Sequence, residues 1–138
     1  MEKINLLCVY DTMRKGYTRN HLVRSCNYVG EFISEPNYDL FFDLNNNTVR
    51  LIEGYSCINF EVYEVTDDVL KTLNFIYSST KGLPVRLCNL NVIETPFGNA
   101  LTYYNNVKIS NPINILTPHQ IKSFFLKNEI IKNETTKI

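Results

Sequence analysis

The sequence lacks a net charge: fourteen basic residues balance fourteen acidic ones over 138 positions. Without that field the composition supplies no source for the long-range attraction that drives nucleic-acid or membrane-surface binding, and neither partner is expected. Nor is there an apolar run near the ~20 residues that a membrane-spanning helix needs. The first residues show no charged region leading into an apolar stretch and a small-residue cleavage site, so the expectation is a cytoplasmic protein. Cysteine is sparse: Cys8, Cys26, Cys57 and Cys88 stand far apart and none forms a CxxC pair. Free buried thiols are the expected state in a reducing compartment. Only His21 and His119 are available, neither near a cysteine in sequence, so a zinc site would need long-range coincidence. No metal and no cofactor are expected.

What is present is an ordinary globular composition, 44% hydrophobic and 20% charged, which argues against wholesale disorder. A chain of 138 residues has room for one compact core. The expectation is one domain over residues 1–131, followed by a polar, frayed tail at 132–138.

The apolar run Ile4 to Tyr10 reads as a central strand covered on both faces. It leads into the polar loop Asp11-Thr12-Met13-Arg14-Lys15-Gly16, with one or two helical turns expected within Asn20 to Ser25. Cys26 to Ile33 reads as a second strand broken at Gly30. Tyr38 to Leu44 and Thr48 to Ile52 form a hairpin around Asn45-Asn46-Asn47, and Cys57 to Val65 a longer strand with Ile58, Phe60 and Val62 on one face. The period then changes: Thr66 caps a helix with Asp67 and Asp68 in its first turn and Val69, Leu70, Leu73 and Ile76 or Tyr77 along one side. Gly82 and Pro84 end that region, and Val85 to Ile93 and Ala100 to Tyr104 make a second hairpin. Thr117-Pro118 opens a terminal helix whose stripe holds Ile121, Phe124, Phe125 and Ile130.

The run Val9-Tyr10-Asp11-Thr12-Met13-Arg14-Lys15-Gly16, followed by Asn20-His21, resembles the N-terminal signature of the γ-glutamylcyclotransferase-like superfamily, roughly Tyr-Gly-Thr-Leu-(Arg/Lys)-(Lys/Arg)-Gly with Asn-His after it. Val29-Gly30-Glu31, Phe60 to Val65, Thr66 to Asn74 and Ala100-Leu101-Thr102-Tyr103 resemble later family segments in the same order. The resemblance covers residues 4 to about 104 and implies an α+β fold, a small mixed β-barrel with short helices. It also implies a pocket in which backbone amides of the signature loop hold a γ-glutamyl or similar acyl-amine group. Family enzymes carry a glutamate after the helix that shuttles the amine proton during cyclisation to 5-oxoproline, because an ammonium must lose its proton before it attacks.

In this sequence the glutamate position falls on Tyr77, and no glutamate lies between Glu64 and Glu94. An unperturbed phenol, with a pKa near ~10, is a poor base at neutral pH. Asp11 and Phe60 stand where the family has glycine, adding bulk expected to reshape the pocket. The expected ligand-binding residues are Tyr10, Asp11, Thr12, Met13, Arg14, Tyr77 and Tyr103, with no catalytic residue.

Each of these has a plainer reading. Tyr10 and Tyr103 either line a pocket or sit in the core with bonded hydroxyls. Arg14 and Lys15 either meet an anion or are solvated. Asp11 is either an acid–base group or the cap of a turn, and Glu61 and Glu64 either replace the missing base or decorate the strand. Cys8 is either a nucleophile or a buried thiol.

The expected function is therefore small-molecule binding without turnover, by sequestration or sensing of a small polar or anionic ligand. The Asn, Ile, Lys and Tyr bias suits an A/T-rich genome such as a phage's, where such a pocket could hold a host signalling nucleotide. One alternative is an active cyclotransferase with a relocated carboxylate. Another is a protein-interaction module with a vestigial pocket and an aromatic surface including Tyr55, Phe97 and Tyr104.

Overall fold

The computed structural model describes residues 3–43, 48–78, 90–105 and 115–130. The Asn45 to Asn47 turn, the Gly82 and Pro84 boundary, residues 85–89 with Cys88, the 132–138 tail and the side chain of Tyr77 lie outside the described residues.

Within them the chain runs β1 (Ile4–Val9), a short 3-10 turn (Asn20–Leu22), β2 (Asn27–Ile33), β3 (Tyr38–Asp43), β4 (Thr48–Glu53), β5 (Asn59–Thr66), α1 (Asp67–Ser78), β6 (Leu90–Thr95), β7 (Gly98–Asn105) and α2 (Pro118–Lys127). The strands form one mixed sheet in the order β2-β5-β1-β7-β4-β3, with β6 also paired to β7. β1 is central, as its unbroken apolar run predicts. It pairs antiparallel with β5 and parallel with β7.

β7 determines the curvature. One edge is spent on β6, from Leu90↔Tyr103 to Thr95↔Gly98. The other is divided: Leu101 meets Leu7 of β1, and three residues later Tyr104 meets Leu51 of β4. Two strands sharing one edge cannot lie flat side by side, so the sheet curls into a half-barrel.

Alternation along the strands sorts side chains onto two cores. The inner core gathers Cys8, Tyr10, Leu51, Ile58, Phe60 and Val62 with Phe124 and Phe125 of α2. The other face gathers Leu7, Val9, Met13, Tyr63 and Tyr103 beneath Leu70 and Leu73 of α1. β5 is buried on both faces, which is why its sequence shows no clean alternation.

The helix ends follow the capping chemistry in the sequence. Thr66 Oγ1 accepts from the Val69 amide at 3.3 Å. Thr117 Oγ1 accepts from Gln120 N while Gln120 Oε1 accepts from Thr117 N, a reciprocal box with Pro118 at the first helical position. Ile130 does not extend the α2 stripe; it lies past the helix end and is exposed. Gly30 marks a register shift in β2, and a Cβ there would stand 2.5 Å from the Phe97 ring. Phe97 thus lies over β2, and Tyr104 packs edge-on against Tyr38; Tyr55 and Phe97 are the exposed members of the expected aromatic surface.

Among the described residues no helix is long and apolar enough to cross a membrane. None of their His, Cys, Asp and Glu side chains form a group able to hold a metal ion.

Candidate functional site

The loop after β1 is held from below and from both sides. Asn20 Nδ2 donates to Met13 O at 2.7 Å and to the Tyr63 hydroxyl at 3.2 Å. Tyr63 in turn donates to Glu61 Oε1 at 3.0 Å, and the same oxygen accepts from the Lys15 amide at 2.8 Å. Burial, and then the neighbouring Glu61 carboxylate, push the Tyr63 phenol far above its ordinary range. Glu61 therefore anchors Lys15 to β5 by charge-assisted hydrogen bonds, while Glu64 on the exposed side accepts from Asn27 Nδ2. Gly16 closes the loop with φ +88°, a conformation side chains rarely adopt.

Within the loop, Asp11 is buried and turns back on its own backbone: Oδ1 accepts from the Met13 amide at 3.0 Å, and its carbonyl accepts from Arg14 N. This is a side-chain-capped turn. Thr12 is also buried, its carbonyl accepting from Arg19 N, and Met13 is in the α1-side core.

Tyr10 and Tyr103 each do structural work with their hydroxyls. Tyr10 donates to the Tyr103 carbonyl at 2.7 Å and accepts from the Leu51 amide at 3.2 Å. Its phenol thereby seals the seam where β7 passes from β1 to β4. Tyr103 donates to Asn74 Oδ1 of α1 at 2.6 Å, joining the loop side of the sheet to the helix whose last turn holds Tyr77.

Among the described side chains the expected site residues therefore do not converge on one wall. Met13 and Tyr103 pack with the α1 side and Tyr10 with the inner core, whereas Arg14 turns toward α2, its guanidinium 4.4 Å from the Phe125 ring centre and 5.0 Å from that of Tyr17. Phe60, expected to crowd the pocket, instead fills the inner core, stacked on Phe32 and edge-on to Tyr10. Cys8 is buried and its thiol is pushed up to about 12 by desolvation, which removes it as a nucleophile at neutral pH. Cys26 is half-buried and Cys57 exposed, against the expectation of uniformly buried thiols. A further residue escapes sequence reasoning. Arg50 is fully buried in β4, one step back from the Leu51↔Tyr104 pair and so beside Tyr103; its signal is a lone cation between Val49 and Leu51.

A protein of Vibrio cholerae serotype O1 named "Putative gamma-glutamylcyclotransferase" is 32% identical over 99 residues, spanning 72% of this chain and 80% of that one. The chain belongs to the γ-glutamylcyclotransferase family. No protein-family model matches it. The family fold recurs in the solved structure of an uncharacterised protein from Pyrococcus horikoshii, with a TM-score of 0.65 at 21% identity over 89% of this chain and 94% of that one. A uropathogenic E. coli-specific protein gives 0.55 at 14% identity over 99% and 98%. An allophanate hydrolase of Kluyveromyces lactis gives 0.62 at 17% identity, the likeness covering 91% of this chain and 21% of the hydrolase. In this γ-glutamylcyclotransferase-family chain the signature loop is thus present, with Asp11 capping it from within.

Proposed function

We propose that this γ-glutamylcyclotransferase-family chain binds a small polar or anionic ligand without turning it over, serving sequestration or sensing. The observation that carries this reading is the Asp11 carboxylate on the Met13 amide. The family resemblance assigns loop amides of this kind to the substrate's acyl-amine group, and here the chain's own oxygen satisfies one of them. The helix supports the same reading, since α1 has Tyr77 where the resemblance expects a glutamate and its acidic residues, Asp67 and Asp68, sit in the opposite, first turn. Incubation with γ-glutamyl amino acids and γ-glutamylamines tests the reading: no 5-oxoproline above the uncatalysed background is expected, and enzymatic release would overturn it.

One observation favours a second reading, an active cyclotransferase with a relocated base. Glu61 is a buried carboxylate directly beneath the loop. Against it, Glu61 Oε1 already accepts from the Lys15 amide and the Tyr63 hydroxyl, so that oxygen is committed to holding the loop on β5. Release of 5-oxoproline that persists in Tyr77→Phe and disappears in Glu61→Gln, with the circular dichroism spectrum intact, would establish the second reading.

A further inference from the structure

On the side of the loop away from α1, a cleft opens between the loop and α2. Its outer part has a volume of about 310 Å³ and is lined by Arg14, Tyr17, Asn59, Lys122 and Phe125 among others. It continues into an inner chamber of about 70 Å³ bounded by Tyr10, Leu40, Cys57, Ile58 and Phe125. The two share Arg14, Asn59, Ile121 and Phe125, so one cavity narrows inward from a cationic mouth toward Leu40 and Ile58.

The walls are fixed. Thr18 N donates to Asn128 O at 3.1 Å and Ile130 N to Gly16 O at 2.7 Å, stitching the end of α2 to the loop. Arg14 is stacked over Tyr17 and Phe125, and its Nε is buried with no hydrogen-bond partner among the described residues. Rings can attract the guanidinium face, but they supply no acceptor in its plane, and a buried donor left unmade is costly. Lys122 adds a second cation, and among the described residues no aspartate or glutamate lines either part of the cleft. Such a mouth selects an anion, and a planar guanidinium edge matches a carboxylate. With a water's share of liquid volume at ~30 Å³, the inner chamber has room for roughly two or three carbons at the end of a tail.

We infer that the Arg14 cleft is a binding site for a small aliphatic carboxylate, its head on Arg14 and Lys122 and its tail toward Tyr10. The inference deepens the binding reading above and rests on it for recognition without turnover. Its readout is separate, since 5-oxoproline release would overturn that reading and leave the Arg14 titration standing.

The test uses isovalerate as probe, isovaleramide as its uncharged twin and inorganic phosphate as an anion with no tail, each titrated into the full chain while the side-chain Nε–H signal of Arg14 is followed by NMR. Isovalerate is expected to shift that signal saturably with a Kd below about 1 mM, and the other two to bind at least about tenfold more weakly. Arg14→Gln should lose about tenfold in affinity and the exposed Lys122→Gln a few-fold, roughly, with the amide spectrum otherwise retained. The comparison of probes on the unmodified chain stands even where Arg14→Gln does not fold. No saturable shift, or isovaleramide or phosphate binding as well as isovalerate, would overturn the assignment.

Discussion

At the residue scale the loop's most informative group is the Asp11 carboxylate, because it occupies the Met13 amide, a donor of the kind the family resemblance assigns to a substrate. Asp11→Gly removes that acceptor and restores the backbone freedom of the family signature. The expected result is a Met13 amide whose NMR signal responds to added 5-oxoproline, where the unmodified chain's does not. Tyr10 makes the opposite case, a residue whose pocket role is displaced by a structural one. Tyr10→Phe keeps the ring and removes the hydroxyl's bonds to the Leu51 amide and the Tyr103 carbonyl, so a loss of about 1–3 kcal/mol is expected in denaturant unfolding.

The cysteines separate by exposure. Iodoacetamide followed by mass spectrometry should modify Cys57 in the native chain and reach Cys8 only after unfolding. The raised Cys8 pKa also sets a direction with pH. The native state holds this proton more tightly than the unfolded chain, so the stabilisation is complete below 9.0 and is lost as pH climbs toward about 12. Thermal unfolding of Cys8→Ala should therefore depend less steeply on alkaline pH than that of the parent chain.

At the scale of elements, the sequence carried the strands and helix starts well because each depends on local chemistry. Thr117-Pro118 is one example: the cap, the Gln120 return bond and the proline all lie within four residues. Thr117→Ala is expected to cost about 1 kcal/mol, read as a lower midpoint in urea. What local pattern could not carry was the division of β7's edge between β1 and β4, which depends on residues nearly a hundred positions apart. Phe60 shows the reverse. Its spacing from Ile58 and Val62 already put it on the inner face, where the structure has it, while the resemblance put it at the pocket. Arg14 was legible as a candidate ligand contact, but the α2 wall it faces was not, because the helix docks on the loop through backbone bonds at Gly16 and Thr18 that leave no mark in composition.

At the scale of the molecule, the half-barrel presents two distinct surfaces around a single loop. One is the α1 side, where the family resemblance locates chemistry and where Asn74 and Tyr103 are already engaged with each other. The other is the α2 side, where a stacked cation faces open volume. A loop shared in this way allows one face to be retired while the other is retained, which is consistent with a family member that recognises without converting.

Among the described residues the β3–β4 hairpin pairs with β7 through Leu51↔Tyr104 and Ile52↔Asn105, with isolated bridges at Tyr38↔Ser56 and Phe41↔Ile115 and one phenolic oxygen spanning the junction. A hairpin attached in this way should release as one piece. Amide protons of Leu40 and Val49 would then exchange with solvent together, through an opening smaller than global unfolding, while those of Leu7 and Val62 wait for the whole chain to come apart.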